Sequence, residues 1–156
     1  MEVNNTIQLQ QALMSKIGKA LELTMKELLN QLQEYIKEEV YSYSPTFNVR
    51  TMETLNNWEY SNMSIVANEV FSELSFSGLS CDIENFSHGS CLSGELDPEY
   101  FLNIIENGNK KTAFGFPLMS SRPFWSKFVD YVNKNLDSIF YKYCRVQGVT
   151  LTHEIG

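Results

Sequence analysis

The residues best suited to catalysis lie in one short stretch, where His88 is followed three positions later by Cys91. A histidine beside a cysteine or a serine is the pairing used in nucleophilic catalysis, because the imidazole takes the proton of the attacking group. Such a pair also needs a group that orients the base and donors that hold the oxyanion, and no motif in the sequence supplies them. We therefore interpret Ser-His-Gly-Ser, residues 87–90, as a turn. A small hydrolase that uses His88 stays open as a third hypothesis.

The sequence does not indicate a metal or cofactor site. His88 and His153 are the two histidines, and the three cysteines, Cys81, Cys91 and Cys144, include no Cys-x-x-Cys pair of the kind that zinc sites use. The glycines form neither a dinucleotide-binding nor a P-loop pattern. We therefore expect no catalytic residues, no metal and no cofactor, and hence no enzyme. Free thiols in a reducing compartment are favoured, and pairing of Cys81 with Cys91 stays open.

The charge balance disfavours general DNA binding. Twelve Lys and Arg stand against nineteen Asp and Glu, which gives a formal charge of −7 and a sequence pI of about 4.8. DNA-binding proteins obtain affinity by neutralising phosphates, so an acidic surface repels DNA instead. Repulsion is useful only in a channel through which DNA must slide. No segment has the apolar length of a membrane helix, and the N-terminus does not resemble a signal peptide, so we expect synthesis in the cytoplasm.

Two long amphipathic helices dominate the predicted structure. Apolar residues recur every three or four positions from Ile17 to Val40, which predicts a helix over residues 7–40. The first dozen residues are polar and rich in glutamine, so residues 1–10 are expected to form a flexible arm that frays or docks onto a neighbour. The last helix is predicted from Ser121 to about Gln147, with a buried stripe made of Phe124, Phe128, Tyr131 or Val132, Leu136, Ile139 or Phe140, and Tyr143.

Shorter elements are predicted between the two long helices. Residues 55–60, 65–77 and 81–86 are interpreted as strands, and residues 149–153 as a final half-buried strand. Asp97-Pro98-Glu99 is a typical helix start, and Gly108 can cap the end of that helix. The predicted fold is therefore one α+β domain over residues 1–156. Its long N-terminal and C-terminal helices pack on a small, mostly antiparallel sheet with one short extra helix.

Three short motifs, taken in order, resemble the head–tail joining, or tail-completion, proteins of tailed bacteriophages and prophages. Tyr-Ser-Tyr-Ser-Pro at residues 41–45 with Arg50-Thr51 is similar to that family's Tyr-x-x-Tyr-x-Pro followed by Arg-Thr-Gly. Residues 102–108 are similar to its element ending in Val-Glu-x-Gly. Arg122-Pro123-Phe124 is similar to the Arg-Pro-Phe that opens its last helix. Departures are Met52 in place of glycine, Asn109 in place of threonine, and a longer segment over residues 77–100.

The resemblance implies a structural virion protein without catalytic activity. Such a protein forms a homo-oligomeric ring, a hexamer or a dodecamer, at the neck or head–tail connector of the phage. Its partners are copies of itself, the portal and adaptor proteins, and the tail tube or tail terminator proteins. DNA passes through the lumen without specific binding. Ring contacts need exposed anchors, and the candidates are Phe47, Arg50, Trp58, Phe114, Phe116, Arg122 and Trp125.

The sequence leaves a different class of function open. A small cytoplasmic adaptor encoded by a phage or prophage would use the same aromatic residues to bind another protein as a monomer. Most of the aromatic residues, which make up 13% of the chain, are expected to fill the core in either case. For Arg50 and Arg122, a bridge to a neighbouring subunit or loop and an ordinary solvent-facing position are equally compatible with the sequence.

Overall fold

The computed structural model describes residues 6–42, 53–67, 69–77, 98–108 and 120–151. In chain order the helices and strands are α1 (Thr6–Glu39), α2 (Glu53–Asn56), β1 (Trp58–Tyr60), β2 (Ser64–Val66), β3 (Glu69–Phe71), β4 (Leu74–Phe76), α3 (Pro98–Asn107) and α4 (Phe124–Val146). Two long helices, a short helix and a small set of antiparallel strands confirm the predicted α+β fold. Among these residues, none of the helices combines the length and the apolar character needed to cross a bilayer.

Helix α1 forms where the apolar periodicity predicts it. Met25, Leu28, Leu32, Ile36 and Val40 are all buried, because they recur on one face of a 3.6-residue turn. The helix begins at Thr6, so part of the predicted flexible arm, residues 1–10, is helical. Residues 1–5 lie outside the described residues.

The strand predicted at residues 65–77 is correct in type but wrong in extent. Residues 65–77 form parts of three short strands rather than one, because the chain reverses at Ala67, whose φ is 55°, and because residues 72–73 interrupt the extended stretch between β3 and β4. Strand β2 pairs antiparallel with β3, with Ser64 opposite Phe71, Ile65 opposite Val70 and Val66 opposite Glu69. Strand β1 pairs with β4. The strand predicted at residues 81–86 lies outside the described residues.

Two further strand predictions need correction. Residues 55–56 belong to the short helix α2, and only residues 58–60 of the predicted strand 55–60 are extended. Residues 149–151 are not a strand, because the Val149 N–H donates to the Cys144 carbonyl at 2.9 Å and closes the end of α4 instead. Val149 is nevertheless buried. Val149 therefore packs at a helix end, whereas Leu151 is 39% exposed.

Helices α3 and α4 begin and end close to their predicted limits. Pro98 is the first residue of α3, and its ring presets the φ angle that a first helical turn requires. Gly108 and Gly148 follow α3 and α4 with φ angles of 74° and 70°, the left-handed geometry that glycine adopts without a Cβ penalty. The predicted buried stripe of α4 is wrong at Leu136, which is 39% exposed.

The chain divides into two compact units. Unit 1 consists of Met1–Asn30, Glu59–Ser75 and Tyr131–Gly156, and unit 2 of Gln31–Trp58 and Phe76–Asp130. That the chain is a single domain stays a prediction. In unit 1, a small core of Ala20, Cys144 and Val149 is packed against Phe140 and Tyr143. The core of unit 2 contains the buried residues Leu32, Ile36, Val40, Leu55, Trp58, Ile105, Phe124 and Phe128.

Candidate functional site

Unit 2 contains an open apolar groove with a volume of about 520 Å³, within the size range of ligand-binding clefts. Residues from β1, β4, α3 and the first turn of α4 line it: Trp58, Phe76, Leu102, Asn103, Glu106, Asn107, Phe124 and Trp125. Because four of its eight lining residues are aromatic and two asparagine side chains add neutral hydrogen-bonding groups, the groove can hold an apolar or aromatic side chain and bind the polar backbone beside it.

The two tryptophans of the chain stack in this groove, which we call the tryptophan groove. The Trp58 and Trp125 ring centroids are 5.4 Å apart with an interplanar angle of 15°, and Phe76 packs against Trp58 at 5.0 Å. Trp58 is buried, and its indole N–H donates to the Thr54 carbonyl at 2.9 Å. Trp125 is 41% exposed. The buried ring of Trp58 therefore supports the ring of Trp125, which is exposed to solvent.

Glu106 holds α4 at the edge of the groove. Its Oε2 accepts the Trp125 backbone N–H at 2.9 Å, and its Oε1 accepts the Ser126 N–H at 3.0 Å and also bonds the Ser126 hydroxyl. The first N–H groups of a helix have no partner within the helix, and the N-terminal end of the helix dipole attracts negative charge. The Glu106 carboxylate therefore caps α4 from another helix, and it sets the position of Trp125.

Arg122, the residue before Pro123, stabilises the same junction between α3 and the start of α4. Its backbone N–H donates to the Ile105 carbonyl at 3.0 Å, and its guanidinium Nη1 donates to the Val40 carbonyl at 3.4 Å. The Ser121 hydroxyl donates to the Glu106 carbonyl at 2.6 Å. Because Val40 directly follows α1 and Ile105 lies in α3, Arg122 joins three helix ends. It contributes to the architecture that supports the groove.

The structure brings together three of the seven candidate interface residues. Trp58 and Trp125 line the tryptophan groove, and Arg122 braces its support. Phe47, Arg50, Phe114 and Phe116 lie outside the described residues. Sequence reasoning did not identify Phe76, Asn103 and Glu106 as site residues. For Glu106 a signal existed, because it lies in one of the short motifs, but nothing in the sequence showed that its carboxylate caps a helix beginning 18 residues later.

A second polar cluster lies in unit 1, where Glu27 meets Lys142 and Tyr143. Glu27 Oε2 accepts hydrogen bonds from the Lys142 ammonium at 2.7 Å and the Tyr143 hydroxyl at 2.6 Å. The bond from Lys142, followed by that from Tyr143, lowers the pKa of Glu27. The bond to Glu27 raises the pKa of both Lys142 and Tyr143. All three groups stay in their hydrogen-bonded ionisation states at neutral pH, so the cluster holds α4 to α1 within unit 1.

Most of the residues that suggested metal or nucleophilic chemistry fall outside the part of the chain that the structure describes. His88, His153, Cys81 and Cys91 lie outside the described residues. Within the described ranges, no group of three His, Cys, Asp or Glu side chains is arranged to hold a metal ion. Cys144 is a buried free thiol, and burial raises its pKa. A thiol in that state is a weak nucleophile.

Comparison with known protein families gives a match over most of the chain. The model of the YomN family matches residues 5–143, which include α1, all four strands, α3 and most of α4. No curated protein and no solved structure matches the chain.

Proposed function

The chain belongs to the YomN family, a family of Bacillus phage and prophage type that indicates a phage-encoded protein, and from this premise we propose a structural role in the phage particle. In this proposal the chain is a non-catalytic virion protein that forms a ring at the neck of a tailed phage. The ring joins the portal and adaptor to the tail tube or tail terminator, and DNA passes through its lumen. The phage-type family and the resemblance of the three ordered motifs to head–tail joining proteins support this role.

The tryptophan groove is the observation on which the proposal depends. Tryptophan is enriched among the residues that dominate protein–protein binding energies, and such residues contribute most in apolar pockets from which water is excluded. Trp125 is 41% exposed although it stacks on the buried Trp58. A large aromatic side chain held rigidly in this way binds a partner at low entropic cost. The groove is therefore proposed as the contact with a neighbouring virion protein.

The state of Glu106 favours binding over catalysis at the groove. Both of its carboxylate oxygens accept backbone N–H groups of α4. A general base must have an oxygen available to take a proton from the substrate, and removing Glu106 from its present bonds would uncap α4. Its place in the groove is therefore best explained by a structural role.

The acidic composition is consistent with a DNA conduit. A formal charge of −7 opposes tight phosphate contacts, so a ring of several copies would let DNA slide through without holding it. The proposed location is accordingly the virion, with assembly in the host cytoplasm.

The decisive experiment is to measure the amount of the chain in purified virions. Quantitative mass spectrometry, with the portal protein as the internal standard, is expected to give a fixed ring-like copy number. Phages that carry Trp125→Ala should produce filled heads that fail to join tails, because the groove loses its exposed anchor. Val146→Ala, which shortens a side chain that is 68% exposed in unit 1, is the matched control and should leave assembly unchanged.

The same experiment discriminates between the ring protein and the cytoplasmic adaptor. If the chain is absent from virions, the neck role is refuted. In that case a loss of binding to a host or phage protein on Trp125→Ala would favour the monomeric adaptor, because the tryptophan groove serves that function equally well.

A further inference from the structure

The apolar stripe along the N-terminal part of α1 extends beyond the core of unit 1. Ala20 is fully buried in the core of unit 1. Leu13 and Leu9 lie seven and eleven positions before it, on the same face of the helix, yet 42% of Leu13 and 57% of Leu9 is exposed. Lys16 continues this face one turn after Leu13 and is also exposed. We call Leu9, Leu13 and Lys16 the arm patch.

The charged residues along the N-terminal part of α1 are basic. Between Glu2 and Glu22 the charged residues are Lys16 and Lys19. The N-terminal half of α1 therefore combines apolar side chains with a positive charge.

The β2–β3 hairpin in the same unit presents a second uncovered patch. In the antiparallel register, Val66 lies opposite Glu69 and Phe71 lies opposite Ser64. Residues that pair across two strands, or that lie two apart on one strand, share a face of the hairpin. Val66, Glu69 and Phe71 therefore point to one side, where Val66 is 59% and Phe71 is 49% exposed. We call these three residues the hairpin patch.

The hairpin lies in an acidic stretch of the chain. There is no Lys or Arg between Arg50 and Lys110, and Glu59, Glu69 and Glu73 are all exposed. The hairpin patch thus combines apolar side chains with a negative charge, the reverse of the arm patch.

We propose that the arm patch of one copy docks onto the hairpin patch of the next copy, an inference that rests on the proposed ring. Each patch offers two apolar side chains and one charge, of opposite sign. Leu9 and Leu13 are one helical turn apart, which separates their Cβ atoms by roughly 6 Å. Val66 and Phe71 are diagonal neighbours across the hairpin, roughly 7 Å apart. These spacings let each pair of side chains interdigitate with the other.

The two patches consist of different residues, so a contact between the arm patch of one copy and the hairpin patch of another is head to tail. Both are exposed in unit 1, which means that they do not cover each other within one copy. Every docked pair would therefore leave one arm patch and one hairpin patch open for further copies. A contact of this heterologous kind produces a ring when the rotation between copies closes.

Sedimentation velocity of the full chain with the substitutions Leu13→Asp and Phe71→Asp tests the contact. The wild type is expected to self-associate as its concentration rises to the millimolar range. Each variant should associate at least about tenfold more weakly, the loss typical of a central interface residue. An equal mixture of the two variants should form a heterodimer and nothing larger, because one arm patch and one hairpin patch stay intact. Val146→Asp, at a position that is 68% exposed and lies outside both patches, should behave as the wild type.

A charge exchange provides a second test. Lys16→Glu and Glu69→Lys should each weaken self-association by roughly two- to fivefold, as expected for exposed ion pairs. The mixture of these two variants should regain the lost affinity, because the opposite charges face each other again. Circular dichroism of every variant checks that it folds.

Three results would overturn the inference. They are a wild type that stays monomeric at every concentration, variants that associate as well as the wild type, and a mixture of Leu13→Asp with Phe71→Asp that forms no heterodimer. The virion assay is independent of all three. A heterodimer with no copies in virions refutes the neck role alone, whereas copies in virions with no heterodimer refute this contact alone.

Discussion

The junction between Glu106 and the start of α4 gives the most specific prediction. Glu106→Ala removes the acceptor of two backbone N–H groups, at 2.9 Å from Trp125 and 3.0 Å from Ser126. Losing a side-chain cap costs about 0.5–2 kcal/mol, and bonds to a charged acceptor lie at the upper end. Because Glu106 is half-buried, water can bond the uncapped N–H groups in the variant and offsets part of the lost stability. We expect a destabilisation of about 1.5 kcal/mol, or a Tm lower by about 3–6 °C.

Urea unfolding followed by tryptophan fluorescence measures this change directly, since both tryptophans of the chain line the groove. Glu106→Gln keeps one acceptor oxygen without the charge, so its destabilisation should be intermediate. Glu34→Ala is the matched control, because it removes an acid whose 2.7 Å pair with Lys37 is exposed on both sides and should change stability by less than about 0.5 kcal/mol. If Glu106→Ala cannot be distinguished from Glu34→Ala, the carboxylate does not cap α4.

Three further predictions concern unit 1. The folded state lowers the pKa of Glu27 below its ordinary 4.5, so it binds fewer protons there than the unfolded state does. The stabilisation by Glu27 should be fully present above about pH 4.5 and lost as the pH falls through the lowered value. Glu27→Gln should thus destabilise the protein at pH 7 and progressively less as the pH falls below 4.5 in chemical unfolding, and an equal loss at every pH would contradict this. Cys144, which is 1% exposed with a raised pKa, should resist iodoacetamide in the native protein and react only after unfolding, as peptide mass spectrometry will show. Ala67→Gly should raise the free energy of unfolding by up to about 1 kcal/mol, because φ of 55° is strained for alanine, and a lower Tm would refute that account.

Sequence patterns predicted the helices well because helix formation depends on contacts between residues three and four apart. The stripe from Met25 to Val40 is buried as predicted, and the glycine ends at Gly108 and Gly148 have the expected positive φ angles. The strands were predicted less well. Hydrophobic and β-branched residues from Ile65 to Ser77 favoured a strand, but the turn at Ala67 and the pairing of β3 with β2 and of β4 with β1, which propensity does not encode, divided them into three.

The candidate site depended on long-range packing. The sequence indicated Trp58 and Trp125 as interface residues by their type, but not that they would stack 67 positions apart. The motifs around Glu106 and Arg122 were visible only as a resemblance to a family. Their physical role, a carboxylate capping one helix and a guanidinium bonding the end of another, required the tertiary structure.

The sequence alone therefore determined where the two long helices run and where glycine ends them, because these features depend on residues close together in the chain. The composition alone determined that the chain is acidic overall. Tertiary structure alone decided which tryptophan is buried and which is exposed, because that depends on the indole bond from Trp58 to Thr54 and on where Glu106 holds the first turn of α4. It also left Leu9, Leu13, Val66 and Phe71 uncovered, since no periodicity can show which apolar side chains the rest of the fold fails to reach.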